Sequence, residues 1–385
     1  MSLPAGASTT AAATPGSPRP RHDHAGRRER ARAELRSRGG AYLLVTDRRN
    51  VRYLTGFTGT NGQLLLGPGP AADRLITDAR YDERAATEVP DLARLLDRDP
   101  VGAALPLVAE AGPSERRLLV EDHDLSWAAG RDLTARAEAC RVEVAGAGRL
   151  IEGLRAVKDA AEIDRIARAC RLTEDGLEWL FTEVVAPGRT ERELAVALER
   201  CFIDSGADAI AFPSIVASGP NAAIPHHEPT DRPLRQGDLL TVDCGAMVDG
   251  YHADHTRTVA IGHLDEQLTG VHAIIVAAQA AGVAAIQPGT LTGEVDAAAR
   301  AVIEDAGYGE AFLHGTGHGV GLAIHEAPTV APGATATLRS GTVLTVEPGI
   351  YLSGLGGVRI EDTLVVTADG TARTLTDTPR ELRIL

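Results

Sequence analysis

The amino-acid sequence predicts an α/β (α+β) chain with two domains: a small N-terminal α/β domain, and a larger C-terminal domain made of two related α/β halves. Three observations support this prediction. Short apolar runs alternate with helical stretches up to residue 148, long amphipathic helices begin near residue 157, and one helix–turn–helix pattern occurs twice between residues 185 and 309. A length of 385 residues is enough for two or three domains with a sizeable core.

Composition and charge narrow the class of protein. A hydrophobic content of 44% and a charged content of 24% are ordinary for a soluble globular protein. The formal net charge of -14 argues against nucleic acid or an anionic membrane as the main partner. We identified no apolar run approaching bilayer-spanning length and no apolar signal-peptide core. Four scattered cysteines without a CxxC pair indicate a reducing compartment, so we expect a cytoplasmic protein.

The N-terminal part divides into a leader and a domain. Residues 1–28 are rich in Pro, Ala and Thr and are predicted to be a disordered leader. Residues 29–148 contain apolar runs such as AYLLVT, GQLLLG, DRLIT and RRLLVED, which predict the strands of the α/β domain. Its polar residues, such as His123 and Asp78, form no obvious constellation. We therefore expect a structural or oligomerisation role for this domain, and a homodimer.

The second domain is predicted to span residues 149–385, because long helices here replace the short apolar runs. One stripe of apolar side chains marks the first long helix. It consists of Ile163, Ile166, Cys170, Leu177 and Phe181.

Residues 185–208 and 286–309 of this domain follow one pattern. Each has a helix end, a Pro-Gly turn, a threonine, a second helix and a glycine stop, and Thr190 with Glu193 resembles a capping box. Strand-rich segments follow both. The repeat predicts a pseudo-two-fold domain with a cleft between its halves, although a duplicated helix pair can also arise by coincidence.

The segment HGTGHGVGLAIHE, residues 314–326, places three of the 12 histidines of the chain among glycines. The glycines make a helix improbable, so the segment is predicted to be tight loop and strand with a closely approaching backbone. Imidazole is the commonest transition-metal ligand and the usual proton shuttle at neutral pH. A lone histidine is more often structural, so a functional role depends on partners elsewhere in the chain.

Four predicted strands each carry a carboxylate on a polar face whose other face is apolar. They lie in LLTVDC, YHADHTRTV, VLTVEPG and GVRIEDTLV. Polar faces of antiparallel strands often meet water, but here helices must cover part of the sheet. Buried carboxylates repel one another unless cations lie among them, and four carboxylates balance two divalent ions. We therefore predict a two-metal site formed by Asp243, Asp254, Glu347 and Glu361 with one histidine.

The ordered motifs VDCGA, GYHADHTRT, HGTGHGVGLAIHE, TVEPG and VRIEDT closely resemble those of the pita-bread metallopeptidases, in particular the Xaa-Pro aminopeptidases and prolidases. The resemblance runs from about Arg155 to the C-terminus, and RYLTGFTGTNG and ITDARY are typical of a creatinase-like N-terminal domain. It implies a pita-bread catalytic domain after a creatinase-like domain. It also implies hydrolysis of the Xaa-Pro bond in small peptides with proline at the second position.

Position by position, the resemblance implies that Asp243 binds one metal and that His318 and Glu347 bind the other. Asp254 and Glu361 would bridge the two ions. This oxygen-rich set suits two Mn²⁺ ions, with Co²⁺ or Zn²⁺ as alternatives.

The resemblance also implies catalytic roles. Glu347 would be the general base for an attacking water, His325 would stabilise developing charge, and His314 would close over the substrate. Arg359 would hold neighbouring carboxylates in place. The substrate-binding histidine would be His226, with the adjacent His227 as an alternative.

Two alternatives remain at the level of sequence, a prolidase and an inactive peptide-binding module. Prolidases, which cleave Xaa-Pro dipeptides, carry the same motifs. An inactive peptide-binding module would usually lose metal ligands, and this chain retains all five. Methionine aminopeptidases normally lack the extra N-terminal domain, and creatinase-like hydrolases lack the complete ligand set.

Overall fold

The chain divides into two units, Arg21–Arg155 and a second that includes Ala156–Leu385. The computed structural model describes residues 20–385. Residues 1–19 of the predicted leader lie outside the described residues.

A six-stranded mixed sheet forms the centre of the N-terminal unit, in the order β4-β3-β2-β1-β5-β6. Its aliphatic core is buried between the sheet and helices α4 and α5. In chain order the elements are α1 His24–Ser37, β1 Tyr42–Val45, α2 Arg48–Thr55, β2 Gly62–Leu66, β3 Arg74–Thr77, α3 Asp82–Glu88, β4 Ala93–Leu96, α4 Pro100–Ala109, β5 Arg117–Val120, α5 Trp127–Ala139, β6 Glu143–Gly146 and α6 Leu150–Arg155.

The leader prediction is wrong at its C-terminal end, because helix α1 already begins at His24. Arg27 and Arg28 are buried in this helix, 1% and 5% exposed. Arg28 donates to the Leu54 carbonyl oxygen over 3.0 Å and pairs with Asp73. The Pro-, Ala- and Thr-rich composition indicated disorder because it offers little apolar surface to bury, but here carbonyl and carboxylate oxygens satisfy buried guanidinium groups.

The predicted domain boundary after Gly148 also lies too early. The first unit ends at Arg155, because α6 is tied to the N-terminal unit by buried polar contacts. Arg155 donates to Asn50 Oδ1 over 2.7 Å, and Glu152 accepts from Asn50 Nδ2 over 2.8 Å.

The C-terminal unit combines helices with several small antiparallel sheets. Those that carry the site have the orders β12-β9-β8, β14-β13-β15-β18-β19 and β16-β17. The elements are α7 Ala160–Trp179, α8 Glu191–Asp204, β7 Ala209–Ile210, β8 Ile215–Ser218, β9 Leu239–Cys244, β10 Ala246–Val248, β11 Tyr251–His252, β12 His255–Ala260, α9 Glu266–Ala284, α10 Thr292–Asp305, β13 Gly317–Gly319, β14 Glu326–Val330, β15 Val343–Val346, β16 Gly349–Leu352, β17 Gly356–Arg359, β18 Asp362–Val366 and β19 Ala372–Thr374.

The predicted repeat is present in the backbone. The Pro-Gly turns before α8 and α10 place Gly188 and Gly289 at φ values of 89° and 94°, in the left-handed region that favours glycine. Thr190 and Glu193 form the predicted capping box of α8. Before α10 only half of the box exists, because Leu291 occupies the N-cap and Glu294 accepts its N–H over 2.8 Å.

Helix α9 contradicts the prediction that no segment of the chain approaches bilayer-spanning length. Its 19 residues include an 18-residue window of mean hydropathy 1.4, long and apolar enough to cross a membrane by length and composition. One face of α9 is packed into an apolar cluster through Leu268, Val271, Ile275 and Ala278. The helix also buries His272, so its apolar character has an explanation in the core of this unit.

Candidate active site

The four predicted carboxylates lie at or just beyond the ends of strands from both halves of the C-terminal unit. Asp243 is on β9, Asp254 directly precedes β12, Glu347 follows β15, and Glu361 lies between β17 and β18. Strands β9 and β12 are buried on both faces. The alternative that these polar faces meet water is therefore wrong: Asp243, Asp254 and Glu361 are 9%, 5% and 1% exposed.

His318 is brought to these carboxylates by strand β13, which packs between β14 and β15. Glycines on either side of His318 permit this close approach. A Cβ atom at Gly317 would lie 2.1 Å from the Thr345 carbonyl oxygen, and one at Gly319 would lie 2.2 Å from that of Ala327. The glycine-rich segment thus allows a strand carrying an imidazole to lie against two neighbouring backbones.

His318 and three carboxylates form a tight cluster. Its Nε2 atom lies 3.4 Å from Asp254 Oδ2 and 3.3 Å from Glu347 Oε1. One ligand atom each of Asp254, His318 and Glu361 lie within 4.8 Å of one another, which makes this group a candidate metal site. Glu361 Oε2 also accepts from Thr256 Oγ1 over 2.8 Å.

Two carboxylate oxygen atoms of the site, one in this cluster and one on the neighbouring Asp243, lack a hydrogen-bond donor. Among the described residues, Asp243 Oδ1 and Glu361 Oε1 are buried without a hydrogen-bond partner. Unpaired buried carboxylate oxygens are costly unless a cation compensates them.

The pKa shifts of the clustered carboxyl groups also favour bound cations. Burial, together with the other carboxylates, raises the pKa of Glu361 well above its usual value, and burial raises the pKa of Asp254 to about 7. Burial also disfavours ionised Glu347, but the hydrogen bond with His318 holds its pKa below the usual value. Four carboxylates and one imidazole at a buried site fit two divalent cations, which would neutralise the acids.

Arg359, on β17, supports the cluster from one side. Its Nη2 donates to Asp243 Oδ2 over 2.7 Å, and its Nη1 donates to the Tyr351 hydroxyl over 2.9 Å. The same hydroxyl lies 2.8 Å from His314 Nε2. His314 is also held by Arg300, which donates to its carbonyl oxygen, and burial lowers the pKa of its imidazole.

The structure distinguishes the two adjacent histidines. His226 is exposed and lines the cavity at the cluster. His227 is buried, and its Nε2 lies 2.8 Å from Glu191 Oε2. Glu191, the first residue of α8, also accepts from Ser218 and Thr230 and so anchors the loop that carries His226.

A cavity of about 400 Å³ opens over the cluster. The His325 ring lies in it, with its centroid 4.3 Å from that of His318 and the two planes at 79°. Burial lowers the pKa of His325. The apolar part of the wall is formed by Phe212, Ile215, Pro225, Ile324 and Ala331.

All the predicted metal ligands and catalytic residues except Glu361 line this cavity, and Glu361 reaches the site through its closeness to Asp254 and His318. Some of the residues that hold these side chains in place were not predicted from the sequence. Thr256 lies on the predicted polar face of its strand together with Asp254, so alternation could have placed it on the metal-binding face, although not against Glu361. No comparable sequence pattern marks Tyr351 or Glu191, because their hydrogen-bond partners lie in distant segments or at the opposite end of a hairpin.

Comparison with known proteins identifies the family. The model of metallopeptidase family M24 matches residues 164–368, and that of the creatinase/prolidase N-terminal domain matches residues 27–157. The uncharacterized peptidase YqhT of Bacillus subtilis is 38% identical over 345 residues, which are 89% of this chain and 95% of the relative. This chain belongs to metallopeptidase family M24.

Solved structures agree with the M24 assignment. The Xaa-Pro dipeptidase from Bacillus anthracis has a TM-score of 0.88 and 35% identity, covering 94% of this chain and all of that one. The X-Pro aminopeptidase from Thermotoga maritima has a TM-score of 0.84 and 31% identity, covering 93% and 99%. The Xaa-Pro dipeptidase of Pyrococcus furiosus is 41% identical over 233 residues, 60% of this chain and 66% of that protein. The predicted family, the pita-bread domain and the creatinase-like domain are confirmed.

Proposed function

We propose that this M24 metallopeptidase is an Xaa-Pro aminopeptidase that removes the N-terminal residue from peptides with proline at the second position. The observation that carries the proposal is the convergence of a complete acidic cluster and four histidines at one cavity. This arrangement also speaks against an inactive peptide-binding module, because such a module has no need for buried, mutually repulsive carboxylates.

Asp243, Asp254, His318, Glu347 and Glu361 would hold two divalent ions. Their hard oxygen donors favour Mn²⁺, with Co²⁺ or Zn²⁺ as alternatives. Bound there, the ions would supply Lewis-acid polarisation of the scissile carbonyl and lower the pKa of water.

Side chains of the protein would carry out proton transfer, charge stabilisation and substrate binding. Glu347 is suited to be the general base, because a carboxyl group whose pKa lies below its usual value is ionised near neutral pH. His325 faces the cavity and would donate a hydrogen bond to the oxyanion that develops on the carbonyl oxygen when the carbonyl carbon is attacked. His226 and His314 would bind the peptide, and Arg359 would fix Asp243 through its 2.7 Å hydrogen bond.

The cavity wall is consistent with a proline ring at the second position. Proline needs an apolar surface and offers no N–H donor at the scissile bond. Phe212, Ile215 and Ile324 supply apolar surface beside the acidic cluster.

Charge in the cavity favours an aminopeptidase over a dipeptidase. A dipeptide substrate carries its C-terminal carboxylate into the site, where a cation would be expected to receive it. Among the described residues lining the cavity, Arg359 is the one arginine or lysine, and it already pairs with Asp243. The names of the dipeptidase relatives favour the second candidate, an Xaa-Pro dipeptidase.

Four substrates separate these functions. We would measure kcat/KM for Ala-Pro, Ala-Pro-amide, Ala-Pro-Ala and Ala-Ala-Ala with Mn²⁺-loaded enzyme. An aminopeptidase cleaves the tripeptide and the amide better than the free dipeptide, and Ala-Ala-Ala poorly. Preference for Ala-Pro with little cleavage of the amide would establish the dipeptidase instead. No turnover of any Xaa-Pro substrate by protein containing two metal ions would refute both.

A further inference from the structure

Lys158 is the one lysine in this chain. The sequence has 39 basic residues, of which 38 are arginine. The side chain of this single lysine is 0% exposed, just before helix α7. At every other cationic position the chain uses guanidinium, so the environment of Lys158 calls for a different cation.

That environment is a buried ion pair next to the active site. Lys158 Nζ lies 3.0 Å from Glu326 Oε1, and the Glu326 side chain is 5% exposed. The backbone of Lys158 is fixed as well, because its N–H donates to the Gly341 carbonyl oxygen over 2.8 Å. A buried pair of this kind holds its two segments in one relative position.

Glu326 connects the pair to the loop that carries His325. Its Oε2 accepts from the Ala323 N–H over 3.2 Å, and its carboxylate packs where a Cβ atom at Gly321 would lie, 2.5 Å away. The Gly321 carbonyl oxygen in turn accepts from the His252 N–H over 2.9 Å. The loop between β13 and β14 is therefore fixed on both sides, and His325 is its last residue.

We propose that Lys158 is a positioning residue which, through Glu326, holds the loop of residues 320–325 and thereby fixes the His325 ring over the metal-site histidine His318. The proposal rests on the proposed peptidase function for the catalytic consequence, and on geometry for the placement of the ring. Catalysis is sensitive to such placement, since an error of about 1 Å can cost on the order of a hundredfold in rate.

The requirement for lysine follows from the shape of the cation. An ammonium group is a compact charge with three donors, whereas guanidinium is planar, longer and carries five donors. An arginine at this fully buried position would have to displace Glu326, because its planar guanidinium group is bulkier and longer than the ammonium group that fits there. We therefore expect Lys158→Arg to retain metal but lose activity, despite its conserved charge.

The decisive variant removes the pair without leaving a buried charge. Lys158→Met alone leaves the buried Glu326 carboxylate without lysine as its counter-charge. The loss of stability would lower Tm and obscure any separate effect on catalysis. Lys158→Met combined with Glu326→Met replaces the pair by apolar side chains and should recover most of the Tm. We expect this double variant to keep parental metal content and a KM within about threefold, with kcat lowered by on the order of tenfold or more.

A matched control tests for a general stability effect. Arg32 and Asp73 form a buried pair in the N-terminal unit, 2.8 Å apart with side chains 2% and 0% exposed. Arg32→Met should lower Tm and leave the kcat of the folded enzyme unchanged. A double variant at Lys158 and Glu326 with parental Tm and parental kcat would show that the pair does not position His325 for catalysis.

Two readouts are independent of turnover. Reductive methylation with ¹³C-formaldehyde should leave the ε-amine of the native protein unmodified and label it after denaturation; labelling of the native ε-amine would overturn the proposal. In metal-free protein with ¹⁵N-labelled histidine, the double variant should shift the His325 ring resonances and leave those of His263 in place. If the parent cleaves no Xaa-Pro substrate, the proposed function fails, and an unshifted His325 resonance would separately refute the positioning role.

Discussion

Glu361 provides a sharp test of the metal assignment, because it is buried, lacks a partner for one oxygen and lines no part of the open cavity. Glu361→Gln preserves its shape and can still accept from Thr256, but removes one of the four negative charges. The ligand atoms lie within 4.8 Å of one another, so a cation among them is no farther than this from the carboxylate; at that distance opposite unit charges attract by about 3 kcal/mol at an effective dielectric constant of about 20. We therefore expect metal affinity to fall about a hundredfold.

This loss can be measured without turnover. A metal at about 100 times its Kd stabilises a protein by about 2.7 kcal/mol, which corresponds to roughly 5–10 °C in Tm for a domain of this size. Mn²⁺ should raise the parental Tm by that amount and the Tm of Glu361→Gln by little. Elemental analysis should find less than the parental metal content. A variant that kept two ions per chain and near-normal activity would refute the assignment.

The control must be another acid outside the site that is at least half-buried. The adjacent Asp362 is unsuitable, because it accepts from Arg257 and Gln279 and pairs with Arg380. Glu174 is better suited, since it accepts from the Thr378 N–H and hydroxyl and does not line the cavity. Glu174→Gln should change neither metal content nor the response of Tm to Mn²⁺.

Three further predictions concern other parts of the chain. His325→Ala should lower kcat by on the order of a hundredfold while metal content stays parental, and metal loss in step with activity would show that His325 is wrongly assigned. Burial raises the pKa of Glu121 to about 7, so its contribution to stability is complete below about pH 4.5 and is lost as the pH rises through 7. The free energy of unfolding should fall by about 3 kcal/mol over that range, and Glu121→Gln, measured by denaturant titration, should flatten the decline. Deletion of residues 1–19 should leave activity unchanged, whereas deletion of residues 1–28 should lower Tm by removing the buried Arg27 and Arg28; equal Tm values for the two truncations would contradict the role of these arginines.

The metal-binding half of the site was predictable because it depends on a local rule. Side chains alternate along a strand, so the faces carrying Asp243, Thr256 and Glu361 could be assigned from the sequence alone. The supports were not predictable, because they depend on which segments meet. Tyr351 joins Arg359 to His314 across a hairpin and a distant loop, and no pattern along the chain specifies that contact.

The errors in the fold have a common physical origin. Helix α1 buries arginines and helix α9 is rich in alanine and apolar residues, so composition misrepresents both. Arginine counts as polar in any sequence average, yet Arg32 is 2% exposed because Asp73 and the Gly67 carbonyl oxygen meet its donors. Only the folded chain specifies whether such partners exist.

The ligands of the site extend from Asp243 on β9 to Glu361 near the end of the second half, so neither half contains a complete set. Bound ions would therefore act as a removable cross-link between segments that are far apart in the chain. Loss of metal would expose both halves to proteolysis at once, instead of loosening one loop. We expect the cellular lifetime of this peptidase to follow the supply of its metal, so that starved chains are degraded rather than kept as an inactive reserve.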